Sequence, residues 1–117
     1  MQILITGAAG FIGFNLSKYL SKKNIKVFGI DNINNYYSRS LKLDRIKELK
    51  KIKKFNFKKI DIRSEKKLSI FLKKKKIDVI IHLAAQAGVR YSLVNPTEFV
   101  QNNILGFYNV VNIAQKN

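Results

Sequence analysis

Apolar and polar positions along the chain alternate between a strand-like and a helix-like period. Residues 2–6 (QILIT) form a short apolar run that predicts a buried strand. Over 11–23 (FIGFNLSKYLSKK), Phe11, Ile12, Leu16, Tyr19 and Leu20 recur at helical spacing. KVFGID (26–31) predicts a second strand ending in an acid, NINNYYSRS (32–40) a polar loop, and LKLDRIKELKKI (41–52) an amphipathic helix through Leu41, Asp44, Arg45, Glu48 and Leu49. FNFKKIDI (55–62) reads as a third strand. SEKKLSIFLKKKK (64–76) reads as a helix capped by Ser64, with Leu68, Phe71 and Leu72 on one stripe. IDVIIHLAA (77–85) is nearly continuous in apolar residues, as expected of a strand buried on both faces of a parallel sheet. QAGVRYSLVN (86–95) reads as a loop, and Pro96 opens a last helix over 97–116.

Strands alternating with helices imply right-handed crossovers and an α/β fold with a parallel sheet covered on both faces. Four such units fit a doubly wound, Rossmann-type order of 3-2-1-4. A fold of this kind normally continues with further strands, so the expectation is an incomplete sheet, truncated at Asn117, in a single domain spanning 1–117. The unpaired sheet edge left by such a cut favours aggregation.

The first strand and helix are joined by GAAGFIG, with Gly7, Gly10 and Gly13 at a G-x-x-G-x-x-G spacing. A pyrophosphate is held by backbone N–H groups at a helix N-terminus, where the helix dipole adds to them and side chains would obstruct. Gly7 permits the tight turn, Gly10 the approach of backbone to phosphate, and Gly13 close packing of helix on sheet, with Phe11 and Ile12 expected to bury beneath the loop. Asp31 closes the second strand. A carboxylate there accepts the adenosine ribose hydroxyls and repels a 2′-phosphate, so the expected cofactor is NAD in preference to NADP.

The net charge of +16 suggests an anionic partner at first sight. Most of the excess lies between Lys42 and Lys76 in lysine runs without interleaved aromatics, which reads as solvated helix faces and makes a nucleic-acid partner unlikely. The chain has no cysteine, and its single histidine, His82, lies inside a strand, so no metal site is expected. No apolar run is long enough to span a bilayer and no signal peptide precedes the first strand, which places the expected compartment in the cytoplasm, with no membrane partner.

TGAAGFIG, DNINNYYSRSLK, KKIDI and HLAAQAGVRYSLVNPTEFVQNNILG together resemble the extended short-chain dehydrogenase/reductase superfamily. Within it they look most like its NAD-dependent epimerase/dehydratase family, in the UDP-glucuronate 4-epimerase branch, and the likeness covers the whole chain as the N-terminal part of a longer enzyme. The resemblance implies that Gly7, Gly10, Phe11, Ile12 and Gly13 hold the pyrophosphate and that Asp31 and Asn32 hold the adenosine ribose, with Asn35 and Lys42 nearby. It puts Asp61 and Ile62 beside the adenine. Leu83, Ala84, Ala85 and Gln86 run beside the nicotinamide ribose, and Asn103 steadies the site. Gly88, Val89 and Arg90 face the UDP-sugar substrate, and the complete enzyme is expected to be a homodimer.

By the same resemblance, epimerisation proceeds by transient oxidation at C4 and return of the hydride to the other face. It requires a tyrosine base within Y-x-x-x-K on a later helix. The only formal match, Tyr19 to Lys23, lies on the first helix, where Tyr19 is expected to pack in the core or at an edge and Lys23 to lie on the surface. No catalytic residue is therefore assigned in this chain. A UDP-sugar 4,6-dehydratase of the same superfamily, and a non-catalytic NAD-binding module, are the alternatives.

Overall fold

The computed structural model describes residues 1–116. Four strands, β1 (Gln2–Thr6), β2 (Lys26–Asp31), β3 (Phe55–Lys59) and β4 (Val79–His82), form one parallel sheet in the order β3-β2-β1-β4. They alternate with α1 (Phe11–Lys22), α2 (Arg39–Leu49) and α3 (Glu65–Leu72), and β4 is followed by α4 (Val89–Val94), α5 (Pro96–Phe99), a π-helical segment (Val100–Gly106) and α6 (Phe107–Lys116). The doubly wound topology and its strand order are those the periodicity predicts.

Alternate residues of the strands feed two cores, as the two-residue repeat of a strand requires. Ile3, Ile5, Val27 and Phe55 pack with Ile46 and Leu49 of α2, while Leu4, Phe28 and Ile30 pack with Leu68 and Leu72 of α3 and Val110 and Ile113 of α6. Ser64 caps α3 by accepting the Lys67 amide, and Pro96 occupies the first turn of α5, both as expected.

Leu16 and Leu20 of α1, Leu49 of α2 and Leu68, Phe71 and Leu72 of α3 pack on the cores as the apolar stripes predict, while other positions of α1 and α2 differ. α1 turns Gly13, Ser17 and Ser21 inward, whereas Phe11, Ile12 and Tyr19 are 72%, 64% and 61% exposed. Phe11 and Ile12 thus do not bury beneath the loop, and Tyr19 is neither core nor edge packing. The reason is distance: a Cβ on Gly13 would stand 2.1 Å from the Gly7 carbonyl oxygen, so only small residues fit where α1 crosses the sheet. In α2 the buried positions are Lys42, Ile46 and Leu49, while Leu41 is exposed. β4 pairs with β1 alone and lies at an edge, so it is not buried on both faces; Val79 is exposed and Ile80, Ile81 and His82 are half-buried. Residues 86–95 are not all loop, because Val89–Val94 turn into α4.

Candidate functional site

The carboxyl ends of the strands open onto a groove at the point where the strand order reverses between β1 and β4, the place where doubly wound sheets bind ligands. Its floor begins at the glycine loop. Gly7 has φ +72°, and a Cβ there would meet the Ala84 amide nitrogen at 2.8 Å and the Leu83 carbonyl carbon at 2.9 Å, so no other residue fits between β1 and β4. The Gly10 amide donates to the Gly7 carbonyl (3.0 Å), and Phe14 makes the first helical bond to the Gly10 carbonyl (2.9 Å). The amides of Phe11, Ile12 and Gly13 precede that bond, and the first turn of a helix leaves such donors without an intrahelical acceptor. The exposure of the Phe11 and Ile12 side chains leaves their backbone at the loop.

Asp31, at the end of β2, holds this loop in place. Its Oδ2 accepts the Ala9 amide (3.1 Å) and its Oδ1 accepts the Ile33 amide (2.8 Å), which secures Ile33 in a left-handed conformation at φ +53°. From the other side, the Ala9 carbonyl accepts from Arg45 Nη1 (3.1 Å) and from the Tyr37 hydroxyl (3.4 Å). Ala9 is therefore clamped at both ends of its backbone by side chains from β2 and α2. Lys42, also on α2, is 6% exposed; its Nζ donates to the Asn34 carbonyl (3.1 Å) and to Asn34 Oδ1 (2.5 Å), and lies 4.3 Å from the Tyr37 ring centroid. Burial pushes the Lys42 ammonium below its ordinary pKa, against the opposing pull of Asp31.

At the end of β3, Asp61 Oδ2 accepts from Asn32 Nδ2 (3.3 Å), and both carboxylate oxygens bind Arg63, the closest contact being 2.8 Å from Nη2. Burial alone would raise the Asp61 pKa, but the bonds from Arg63 and Asn32 outweigh it and hold the carboxyl below its usual value. Arg63 also reaches Glu98 (3.4 Å) and Gln101 (3.1 Å), tying the strand end to α5 and the π-helix.

Thr6 organises the β4 side. Its hydroxyl accepts the Leu83 and Ala84 amides, both at 3.1 Å, and shares a hydrogen bond with His82 Nδ1 (2.7 Å). Burial lowers the His82 pKa below its ordinary value. His82 is a satisfied structural residue. The Gln86 backbone is held in turn by Asn103, whose side chain accepts its amide (2.8 Å) and donates to its carbonyl (2.9 Å).

Among the residues expected from the sequence, Gly7, Gly10, Asp31, Asn32, Lys42, Ile62, Leu83, Ala84, Ala85 and Gln86 line the groove. Asp61 and Asn103 stand behind the lining and position it. Asn35 is exposed and outside it; its neighbour Asn34 lines it instead. Gly88, Val89 and Arg90 are exposed beyond the groove, with Gly88 at φ +107°. Lining residues the sequence reading left out are Ile30, Asn34, Tyr36, Tyr37, Ile60, Ala87 and Asn102. Asn102 lies in the π-helical segment and is buried, its Nδ2 donating to the Glu98 carbonyl (2.7 Å) and to Glu98 Oε2 (3.1 Å). Thr6 and Arg45 also escaped, although TGAAGFIG and the helical position of Arg45 carried the information. The formal Tyr19/Lys23 pair lies on the exposed side of α1, with Lys23 Nζ 5.8 Å from the Tyr19 ring, outside the groove. Among the described residues no cluster of His, Cys, Asp or Glu could hold a metal.

The first-turn amides of the glycine loop and the Asp31 carboxylate at the adjacent strand end fit a dinucleotide, and the loop holds its shape through backbone approaches at Gly7 and Gly13 that leave no room for a Cβ. Comparison with known proteins agrees. A family profile described as GDP-mannose 4,6 dehydratase matches residues 4–117. A UDP-glucuronate 4-epimerase of Thermodesulfobacterium geofontis is 44% identical over 112 residues, which are 96% of this chain and 35% of that protein. The crystal structure of UDP-glucuronic acid 4-epimerase from Bacillus cereus, in complex with UDP-glucuronic acid and NAD, superposes with a TM-score of 0.86 at 38% identity over 96% of this chain and 35% of its own. The dTDP-glucose 4,6-dehydratase of Bacillus anthracis in complex with NAD gives 0.79 at 25% identity, covering 99% of this chain and 34% of its own. The chain spans about a third of the length of these relatives. A glycine cradle with its acid, the 3-2-1-4 order and a profile match running from the first strand to the last helix place the chain in the NAD-dependent epimerase/dehydratase family described by GDP-mannose 4,6 dehydratase.

Proposed function

We propose that residues 1–117 form the NAD-binding domain of a nucleotide-sugar epimerase that interconverts UDP-glucuronate and UDP-galacturonate. The observation that carries this reading is the Asp31 carboxylate, which sits against the glycine loop at the end of β2 where the adenosine ribose would lie. In the site, the Phe11, Ile12 and Gly13 amides hold the pyrophosphate and Asp31 with Asn32 takes the ribose hydroxyls. Ile60 and Ile62 flank the adenine, with Asp61 positioned behind them, and the Leu83–Gln86 backbone runs along the nicotinamide ribose. Asn35 lies nearby and Asn103 keeps the Gln86 backbone in register. When bound, NAD supplies the oxidation and re-reduction at the sugar C4. This chain's residues orient it and carry no proton in that step. Gly88 and the first residues of α4, Val89 and Arg90, face the UDP-sugar, where a guanidinium pairs with a carboxylate or phosphate.

The identities favour the epimerase over the 4,6-dehydratase reading, since the epimerases stand at 44% and 38% and the dehydratase structure at 25%. The complete enzyme is proposed to act as a cytoplasmic homodimer. Support for the dimer comes from an outward apolar stripe along the last helices, through Val100, Ile104, Phe107, Tyr108 and Val111. Among the described residues no helix is long and apolar enough to cross a membrane.

Calorimetric titration of the purified chain with NAD and with NADP tests the site. Binding of NAD with clear preference over NADP is expected, because Asp31 opposes a 2′-phosphate. Binding of neither, or salt-sensitive binding of nucleic acid that NAD does not displace, overturns the reading.

A further inference from the structure

One aromatic contact crosses the groove. Tyr36 lies on the loop between β2 and α2 and lines the groove, while Gly88 and Tyr91 follow β4. The Tyr36 and Tyr91 ring centroids are 5.0 Å apart with the planes inclined at 49°. Because β1 lies between β2 and β4 in the sheet, a contact from the end of β2 to the end of β4 passes over the β1 end and its glycine loop. That path covers two strand spacings, about 10 Å. It spans the crevice at the reversal of strand order.

The β4 side is shaped to receive Tyr36. Gly88 adopts φ +107°, and a Cβ on it would stand 2.1 Å from the Tyr36 hydroxyl oxygen, so the phenol occupies space that only a glycine leaves open. Tyr91 is backed by Phe99 at 6.1 Å and its hydroxyl accepts from Asn95 Nδ2 at 3.2 Å, which fixes the surface against which Tyr36 rests. Tyr36 itself is 43% exposed, and among the described residues its hydroxyl has no hydrogen-bond partner, so the contact is carried by ring packing and can open.

We infer that Tyr36 is a strap that closes over the bound dinucleotide by packing on Gly88 and Tyr91, and that it sets how long the cofactor stays. The inference rests on the nucleotide reading of the groove: a dinucleotide running from Asp31 to the Leu83–Gln86 segment passes beneath this contact. The chemistry gives the strap a purpose. A reaction that oxidises and then re-reduces one sugar carbon returns the hydride from the same cofactor molecule, so dissociation between the two halves would strand the oxidised sugar.

The test is the rate of NAD dissociation, followed by rapid mixing of the loaded chain with an excess of competing nucleotide, for wild type, Tyr36→Ala, Tyr36→Phe and Tyr91→Ala. Loss of the ring contact in Tyr36→Ala or Tyr91→Ala is expected to speed dissociation by about tenfold. Tyr36→Phe is expected to stay within about twofold of wild type, and melting of the cofactor-free chain should be unchanged in all three. Should Tyr36→Ala fail to fold, Tyr91→Ala removes the other half of the same contact. Dissociation from both alanine variants at the wild-type rate overturns the strap, as does equal acceleration by Tyr36→Phe, which would assign the effect to the hydroxyl. A wild-type chain that retains no NAD overturns the nucleotide reading and the strap with it.

Discussion

At the β2 end of the groove the charged side chains are committed before a ligand arrives: Asp31 accepts two backbone amides, Lys42 donates twice to Asn34, and Asp61 is gripped by Arg63. At the β4 end the backbone of Leu83–Gln86 is held through Thr6 and Asn103, but beyond it Val89, Leu93 and Val94 stand 83%, 82% and 83% exposed and Arg90 is exposed to solvent. The half that would hold the adenosine is preorganised, so binding there loses little side-chain freedom. The half that would face the sugar is presented as a surface still to be covered. The two ends of the groove are thus built differently in this chain, and substitutions at them should behave differently.

The largest effect is expected where the preorganised half rests on backbone contact. Gly13→Ala would drive a Cβ to 2.1 Å from the Gly7 carbonyl oxygen, against backbone that cannot swing aside. It should displace α1 from the sheet and abolish both cooperative melting and NAD binding. An alanine variant that melts near wild type and still binds would break the view that the cradle is rigid.

Next comes a paired test of the two ends. Asp31→Ala removes the acceptor for the Ala9 and Ile33 amides along with the contact proposed for the ribose. Loss of such charge-assisted bonds, about 1.5 to 3 kcal/mol each, corresponds to at least a tenfold loss of NAD affinity. Arg90→Ala should leave NAD affinity within about twofold, since exposed substitutions away from a site change little. Equal losses in the two variants, read by titration, would erase the distinction between the ends.

The pH dependence isolates the β4 end, because His82 is the single histidine. Burial lowers its folded-state pKa below the ordinary value of 6.5, so the folded chain binds fewer protons there than the unfolded one. Its contribution is complete above pH 6.5 and is lost as pH falls toward the folded-state value. The melting temperature should decline on acidification below that point, and His82→Gln should flatten the decline. Asp61, also depressed, adds its own loss only below its ordinary value of 3.8.

How much of this was legible in the sequence depends on what each signal measures. Strand order, the glycine cradle and Asp31 were readable because they rest on backbone geometry that few residue types satisfy. The helix faces were readable only in part: Leu68, Phe71 and Leu72 of α3, Leu49 of α2, and Leu16 and Leu20 of α1 pack on the cores as expected, and the remaining positions do not. In α1 the apolar count selected Phe11, Ile12, Leu16, Tyr19 and Leu20, of which Leu16 and Leu20 pack on the core, while the positions closest to the sheet are so near it that small residues fill them. In α2 a lysine took a core position because its ammonium finds Asn34 and the Tyr37 ring at the groove. Tyr36 escaped for a different reason: it faces the groove through a tertiary contact that local pattern does not encode.

The smallest effect follows from that crowded α1 face. Ser17 and Ser21 are 0% and 3% exposed, and neither hydroxyl has a hydrogen-bond partner within the described residues. An unsatisfied buried hydroxyl is costly, and alanine is a better helix former than serine. Removing the oxygen leaves a cavity too small to offset either gain. Ser17→Ala should therefore stabilise the chain by about 1 kcal/mol, seen as a rise of a few degrees in melting temperature with unchanged NAD affinity. A fall in melting temperature would mean that the hydroxyl is satisfied in solution by a buried water, and that the cradle side of the sheet is less tightly closed than its small-residue seam implies.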